Sequence, residues 1–197
     1  MQGLPDGYFV LPYTIGDYLA NDIRTGPIPT TAKEFELSEQ KVSNTIDKLL
    51  KIKGKKTVDY FHKRLGKVMW DFVGMARSES SLKHAIKEIK EIRNEFWTNV
   101  NIPGNKNELN QELEKAGRVA DFLELGELFA KDALERTESA GGHFREESQT
   151  KEGEALRNDK DFSFTSAWEF VGEPSEAILH KEHLEFNDIE LKQRSYK

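Results

Sequence analysis

Apolar residues recur every three or four positions through the middle of the chain, and this spacing constrains the fold more than any other feature. One stripe contains Val58, Phe61, Leu65, Val68, Phe72 and Ala76, and a second contains Leu82, Ala85, Ile89, Ile92 and Phe96. Side chains at this spacing share one face of an α-helix, so each stripe predicts a helix with one buried side. The chain is therefore predicted to be mainly α, with a helical bundle as its core.

Another helix is predicted before these two, with apolar positions at Val42, Ile46 and Leu49. Ser38 is a suitable N-cap, because its hydroxyl can accept a hydrogen bond from a free N–H of the first turn. Gly54 is a suitable stop for this helix. The lysines at positions 48, 51, 53, 55 and 56 are interpreted as a solvated helix end, where cations interact favourably with the helix dipole.

The fourth predicted helix extends from about Glu108 to Thr137 and differs from the others, because it carries two apolar stripes. One is Leu109, Leu113, Ala116, Ala120 and Leu123, and the other is Phe122, Leu125, Phe129 and Ala133. A helix that is apolar on two faces is usually packed on two sides. We therefore expect one face to lie in the bundle and the other to contact a further partner.

Composition excludes several classes of function. The net charge is -6, with 29 basic and 35 acidic residues, whereas binding to nucleic-acid phosphates requires a surplus of basic residues. No nucleic-acid partner is therefore predicted. The sequence has no cysteine, which excludes disulfides, thiolate zinc sites and cysteine nucleophiles. It also has no Gly-rich phosphate-binding loop, and no apolar run approaches the length of a membrane span.

The two ends of the chain have a different character from the middle. The stretch from Tyr8 to Leu19 is too apolar for a frayed terminus, so we expect it to pack elsewhere or to mediate self-association. A linker follows at Gly26, Pro27 and Pro29. Towards the other end, "FSFTSAWEFVG" and "ILHKEHLEF" predict two short strands joined around Gly172 and Pro174, and "IELKQRSYK" is a candidate third strand.

Two histidine-containing segments were considered as sites. His180 and His183 are three positions apart in an extended segment, so their rings point to opposite faces and no metal site is predicted there. The segment "SAGGHFREES", residues 139–148, is richer, because it combines a glycine pair with His143, Arg145, Glu146 and Glu147. From the residues alone it is an active site, a metal site or a domain hinge.

The hinge is the interpretation that we favour for this segment. Gly141 and Gly142 follow the fourth helix and are predicted to form its cap, since glycine readily adopts the left-handed conformation. His143, Arg145 and Glu146 are then predicted to be contacts at a seam between domains, with an acidic residue holding the arginine.

Three stretches of the sequence carry a resemblance to a known family. They are "AGRVADFLELGELFAKDALERTESAGGHFREES", "GEALRNDKDFSFTSAWEF" and "LKQRSYK". Together they resemble the C-terminal part of the flavoprotein subunit of succinate dehydrogenase and fumarate reductase, in the bacterial branch with a di-haem cytochrome b anchor. The residues that match the family pattern are Ala133, Leu134, Arg136, Glu138, Ser139, Gly141, His143, Arg145, Glu146, Arg157 and Asp159. Three positions depart from it, where Ala140 replaces arginine, Gly142 replaces alanine and Glu147 replaces aspartate.

The resemblance implies a fold and a domain organisation. Residues 1–36 are expected to be a remnant of a flavin-domain helix with a linker, and residues 37–140 a three-helix bundle like a spectrin repeat. Residues 141–197 are expected to form a loop and a short β C-terminal segment. The flavin-binding and capping domains are expected to lie upstream of residue 1, so that no catalytic residue and no metal ligand belong to this chain. At most, Met1 and Gln2 lie at the edge of the segment that lines the flavin.

The resemblance also implies an activity for the intact subunit. Such subunits interconvert succinate and fumarate with FAD, and pass electrons through an iron–sulfur subunit to or from quinone. The implied partners are the chain's own flavin domain, the iron–sulfur subunit and, through it, a membrane cytochrome b anchor on the inner, cytoplasmic face of the cell membrane. This chain alone is expected to bind no FAD and to be inactive. The alternative hypothesis is a free-standing helical interaction module without a redox role.

Overall fold

A computed structural model describes residues 3–172 and 176–192 of the chain. The chain divides between Thr45 and Ile46 into two compact units, and each is described here by itself. No helix within the described ranges is both long enough and apolar enough to cross a membrane.

The first unit is helical from Gly3 to Ile23. Short α-helices α1 (Gly3–Pro5), α2 (Leu11–Tyr13) and α3 (Ala20–Ile23) alternate with π-helical turns at Asp6–Val10 and Thr14–Tyr18. Most large apolar side chains of this stretch are more than half exposed, including those of Tyr8, Phe9, Leu11, Ile15 and Tyr18, whereas Leu19 is partly buried. The apolar character noted in the sequence is therefore displayed on a surface and does not form a local core.

Helix α4 (Lys33–Lys51) starts before the serine that was expected to cap it. The predicted N-cap role of Ser38 is wrong, because Ser38 lies inside the helix and its hydroxyl donates to the carbonyl oxygen of Glu34 over 2.8 Å. A serine inside a helix can bond back to the preceding turn in this way. Glu34 and Glu36 occupy the first turn, where negative charge favours the helix dipole. The helix ends at Lys51, just before the glycine predicted to stop it.

Three helices of the second unit pack against one another as a bundle: α5 (Val58–Val73), α6 (Glu79–Asn99) and α7 (Gln111–Glu135). Each helix is preceded by an N-cap residue whose side chain accepts a hydrogen bond from a backbone N–H of the first turn. These N-caps are Thr57, Ser78 and Asn110. Ser78 forms a reciprocal capping box with Ser81, which satisfies two N–H groups that a helix start otherwise leaves unpaired. The mainly α fold predicted from the sequence is confirmed.

The predicted apolar stripes form the core of this bundle. All five residues of the α6 stripe are buried, as are Val58, Phe61, Leu65 and Val68 from α5. The Phe61 and Phe96 rings meet edge to face at 5.3 Å, and full burial of such a side chain contributes roughly 1.5–3 kcal/mol. The first predicted stripe of α7 starts too early in the sequence, because Leu109 precedes the helix and is 94% exposed.

A short backbone ladder joins the segment after α4 to the end of α6. The N–H of Gly54 donates to the Val100 carbonyl over 3.0 Å, and Lys56 exchanges hydrogen bonds with Asn99 and Asn101. The approach is so close that a Cβ atom on Gly54 would lie 2.0 Å from the backbone carbon and oxygen of Asn99. Only glycine fits this position, for reasons of space.

The C-terminal part of the second unit is a two-stranded antiparallel sheet. Helix α8 (Asp159–Phe162) precedes β1 (Phe164–Glu169), which pairs with β2 (Ile178–His183) so that Phe164 lies opposite His183. The two predicted strands are confirmed. The candidate third strand is wrong for residues 189–192, which form no strand, and its remainder lies outside the described residues, as does Pro174. The predicted domain boundaries stay a prediction.

Candidate functional site

The segment singled out in the sequence folds as a tight loop after α7. Helix α7 ends at Glu135 with Arg136 as its C-cap. Gly141 and Gly142 lie farther along, at the tip of a two-residue turn in which Ala140 and His143 exchange both backbone hydrogen bonds, at 2.9 and 3.0 Å. Gly141 has a φ of 59°, in the left-handed region that such turns require. The prediction that the glycine pair caps α7 is therefore wrong.

The C-cap residue is Arg136, and the side chain of Arg145, which lies beyond the turn, supplies hydrogen bonds to the end of α7. Its guanidinium is buried, and Nη1 donates to the carbonyl oxygens of Ala133 and Leu134 over 3.0 and 3.2 Å. These carbonyls belong to the last turn of the helix, where backbone acceptors have no partner within the helix. A cation is also favourable at this end of the helix dipole. A side chain that returns to the helix replaces the local glycine cap that the sequence suggested.

Ser139 fixes the backbone of Arg145. The buried hydroxyl of Ser139 accepts a hydrogen bond from the Arg145 N–H over 2.8 Å and donates to the Arg145 carbonyl oxygen over 3.2 Å. Both backbone groups of Arg145 are thus satisfied by one side chain. This serine was not among the predicted site residues, although it matches the family pattern.

His143 bridges the loop and the connection between α5 and α6. Its Nε2 lies 2.8 Å from the carbonyl oxygen of Arg136, and its Nδ1 lies 2.8 Å from Nη1 of Arg77. A carbonyl can only accept and a guanidinium can only donate, so Nε2 carries the proton and Nδ1 accepts. Burial lowers the pKa of His143 below its usual value, and the cations of Arg77, Arg145 and Arg136 act in the same direction.

Arg77 is another residue of this network that was not among the predicted site residues. Its Nε donates to the carbonyl oxygens of Val73 and Gly74 at the end of α5, and its guanidinium lies 5.1 Å from the centre of the Phe129 ring on α7. Its backbone pairs in parallel with that of Arg145. Burial lowers the pKa of Arg77. A lone arginine before a helix cap offers no sequence signal for these long-range contacts.

Two carboxylates complete the network. Glu147 accepts a hydrogen bond from the N–H of Glu79 in the first turn of α6 over 2.6 Å, and another from Nε of Arg145 over 3.2 Å. Desolvation would raise the pKa of Glu147, but these hydrogen bonds and the cation hold it below its usual value. The buried Glu138 accepts from Arg136 over 2.6 Å and from the backbone N–H of Asn158 over 2.7 Å, which attaches the loop to the start of α8.

The structure therefore brings together two of the three predicted seam residues. His143 and Arg145 join the ends of α5, α6 and α7, while the exposed Glu146 contributes its backbone N–H to Arg77 over 2.8 Å. That these residues contact a further domain stays a prediction. No group of histidine and carboxylate side chains in the described ranges is arranged to hold a metal ion. Met1 and Gln2 lie outside those ranges.

The second apolar stripe of α7 forms an open surface. Phe122, Leu125 and Phe129 are 41%, 60% and 52% exposed, whereas Ala133 is buried. On one side of this ridge a groove of about 310 Å³ lies against α5, and on the other side a cavity of about 370 Å³ lies against β1. The expectation that a further partner covers this face stays a prediction.

Comparison with known protein families identifies relatives of this chain. The model of the fumarate reductase flavoprotein C-terminal region matches residues 62–196. The fumarate reductase flavoprotein subunit of Helicobacter pylori is 30% identical over 153 residues, which are 78% of this chain and 21% of that protein. An uncharacterized FAD-dependent oxidoreductase of Methanocaldococcus jannaschii is 33% identical over 116 residues, 58% of this chain and 20% of that protein. The chain thus spans about a fifth of the length of these relatives.

Solved structures share the fold at lower sequence identity. E. coli quinol fumarate reductase with a mutated FrdA superposes with a TM-score of 0.70 at 19% identity, covering 86% of this chain and 28% of that chain. The Mycobacterium smegmatis Sdh1 complex superposes with a TM-score of 0.63 at 23% identity, covering 83% of this chain and 26% of that chain. At these identities the likeness establishes the fold alone.

Proposed function

The chain belongs to the fumarate reductase flavoprotein C-terminal family, and we propose that it acts as the helical domain of a subunit that interconverts succinate and fumarate. The observation that carries the proposal is the family match over residues 62–196, which includes the whole network around Arg145. The domain contributes packing surfaces and the hydrogen-bonded loop around Arg145, and the chemistry belongs to other parts of the subunit.

The described residues do not fit FAD. A dinucleotide needs a Gly-rich turn between a parallel strand and a helix N-terminus, where backbone N–H groups meet the pyrophosphate. The described part of the chain offers only the antiparallel pair β1 and β2. The cavities on either side of the α7 ridge are lined mostly by apolar side chains. In the proposed function FAD is therefore bound by a separate flavin domain, and no catalytic step is assigned to these residues.

The proposed partners follow from membership of the family. They are the flavin domain of the same subunit, an iron–sulfur subunit and, through it, a membrane cytochrome b anchor at the inner face of the cell membrane. The exposed ridge of Phe122, Leu125 and Phe129 supports a role in contacts of this kind, because large exposed apolar patches mark interaction surfaces. By the same reasoning, the apolar stretch from Tyr8 to Leu19 mediates self-association of the chain when no partner covers it.

Two measurements test the proposed function. The coding frame upstream of Met1 is expected to encode "His-Gly-Ala-Asn-Arg-Leu-Gly", and the complete frame, once expressed, is expected to bind flavin and reduce fumarate. The 197-residue chain, prepared in parallel with added FAD, is expected to remain colourless and inactive. A yellow, active preparation of the 197-residue chain contradicts the proposed division of labour.

The second candidate function is a free-standing interaction module without a redox role. The same exposed ridge on α7 favours it, since the ridge offers a binding surface whether or not a flavin domain exists. A stop codon and a promoter directly upstream of Met1 would select this candidate over the first.

A further inference from the structure

The cavity between α7 and β1 has the composition of a specific binding site. Its volume is about 370 Å³, which is within the range of small-ligand pockets. Five residues form an apolar wall and two carboxylates complete the lining: Leu125, Leu128, Trp168, Phe170, Ala177, Asp121 and Glu124. An apolar wall beside a few polar groups is the usual form of a site that fixes the orientation of its ligand.

Secondary structure explains why these residues converge. Asp121, Glu124, Leu125 and Leu128 follow the spacing of a single helical face, so α7 directs all four side chains to the same side. Trp168 lies in β1 and Phe170 directly follows its last residue, Glu169; in extended chain, residues two positions apart project to the same side. The site is therefore built from a rigid helix and a strand.

The indole of Trp168 is held in a fixed orientation. Its Nε1 donates to Oδ1 of Asp132, one turn beyond Leu128 on α7, over 2.8 Å. The Nζ atom of Lys131 lies 4.8 Å from the centre of the ring, so this indole already takes part in a cation–π contact. A fixed aromatic face lowers the entropic cost of binding a ligand.

Two carboxylates and one ammonium lie at the cavity, because Lys131 donates to the carbonyl oxygen of the lining residue Ala177 over 3.0 Å, so negative charge is in excess there. Asp121 and Glu124 are exposed, and within the described ranges neither side chain forms an ion pair or a hydrogen bond. The groove on the other side of the α7 ridge differs in charge, because its lining contains His62 and no carboxylate. Of the two depressions, the one against β1 is the one suited to a cation.

We propose that this cavity binds an arginine side chain of a partner protein. The apolar stem packs along Leu125 and Leu128, while the guanidinium lies against the rings of Trp168 and Phe170 and donates to Asp121 and Glu124. Arginine fits better than lysine, because its planar head stacks on aromatic rings and donates several hydrogen bonds at once. Long basic side chains pack their stems on apolar surface and keep the charged end at a polar rim.

A titration of the full chain tests this proposal. The probes are n-butylguanidinium, n-butylammonium and the neutral n-butylurea, and the signal is the indole N–H resonance of Trp168, assigned with Trp168→Phe. We expect a saturable shift with n-butylguanidinium at roughly 1–10 mM, since so small a ligand has few contacting atoms. We expect binding to weaken at least tenfold in the double variant Asp121→Asn, Glu124→Gln and at least threefold with n-butylammonium.

Matched variants and probes make the test decisive. Glu91 is an exposed glutamate of α6 outside the cavity, so Glu91→Gln is expected to leave the binding constant unchanged. Equal binding of n-butylurea, or no shift with n-butylguanidinium, overturns the proposal. The peptide acetyl-Ala-Arg-Ala-amide is expected to bind at least as tightly as n-butylguanidinium. Failure of the peptide where the small cation binds overturns the assignment to a protein side chain and leaves a free organic cation as the ligand.

Discussion

The Nδ1 atom of His143 accepts a hydrogen bond from Nη1 of Arg77 over 2.8 Å, and this bond requires a neutral imidazole. A proton on Nδ1 would place a donor against a donor. It would also add a positive charge beside Arg77, Arg136 and Arg145, which already act on the pKa of His143. Backbone hydrogen bonds also connect the loop to the α5–α6 corner, but this side-chain bond depends on the charge state of the His143 ring.

The stability of the chain is expected to fall as the pH falls below about 6.5, the usual pKa of an unfolded histidine. Burial and the neighbouring cations lower the pKa of His143 in the folded state, so the unfolded chain takes up the proton first. The contribution is full above the unfolded pKa and is lost on acidification. The check is the free energy of unfolding in urea at pH 7.5, 6.5 and 5.5.

His143→Gln is the control for this pH dependence, because an amide can also donate to the Arg136 carbonyl and accept from Arg77 without titrating. Carboxylates titrate equally in both proteins, so the difference between wild type and variant isolates the histidine. We expect the wild type to lose more stability than the variant between pH 7.5 and 5.5. Parallel pH profiles would show that the imidazole makes no such contribution.

Arg145→Met is expected to destabilise the second unit by about 2–4 kcal/mol. The change leaves the carbonyls of the last turn of α7 without their buried donor, and it also leaves Glu147 without its cation. Arg118→Met is the comparison, since Arg118 makes an exposed pair with Glu114 on the same helix and should cost no more than about 0.5 kcal/mol. Urea unfolding followed by far-ultraviolet circular dichroism measures both, and similar losses would contradict this role of Arg145 at the end of α7.

Two glycine-to-alanine changes are expected to have opposite signs. Gly54→Ala should destabilise by about 1–3 kcal/mol, because its Cβ would meet the Asn99 backbone at 2.0 Å and a backbone neighbour cannot move aside cheaply. Gly117→Ala should stabilise by about 0.5–1 kcal/mol, because a Cβ there meets nothing within 4 Å and the residue lies inside α7. The melting temperatures of the two variants measure both effects. An unchanged melting temperature for Gly54→Ala would show that the backbone pairing between Gly54 and Asn99 can shift at little cost.

The proposed self-association is expected to depend on the first unit. Sedimentation velocity over a range of protein concentrations should show a mass that rises with concentration. In the double variant Phe9→Ser, Tyr18→Ser the association constant should fall at least tenfold, because both rings are mostly exposed. Trp70→Ser serves as the control, since Trp70 is 84% exposed on α5, outside that stretch. A wild-type chain that stays monomeric at every concentration would rule the association out.

The sequence predicted the bundle well where one periodic signal determines the structure. The α6 stripe and the α5 stripe as far as Val68 are buried as expected, because helical spacing and hydrophobic burial act together there. The predicted α5 stripe was too long, because Phe72 is only partly buried and Ala76 is exposed beyond the end of the helix at Val73. Local capping signals were less informative. A serine such as Ser38 can cap a helix or lie inside one. In the structure α4 begins earlier, with Glu34 and Glu36 in its first turn.

The segment 139–148 forms a closely hydrogen-bonded loop, but the contacts within that loop were not predicted from the sequence. The glycine pair looked like the cap of α7 because it follows the helix closely. The C-cap residue is Arg136, and the side chain of Arg145 reaches back to Ala133 from a position that depends on Ser139 and Glu147. Arg77 joins the network from the connection between α5 and α6. Contacts between residues so distant in the chain leave no pattern that a single sequence can reveal.

The loop around Arg145 also sets an order of events during folding. Its hydrogen bonds end on the last turn of α7, on the α5–α6 connection at Arg77 and on the first turn of α6 at Glu79. The three helix ends lie together only after the bundle has assembled, so we expect the complete set of hydrogen bonds of the loop to form last. By the same logic the loop is the first to open in the native state. Amide protons of Ser139, Arg145 and Glu146 should thus exchange with solvent before those buried in α6.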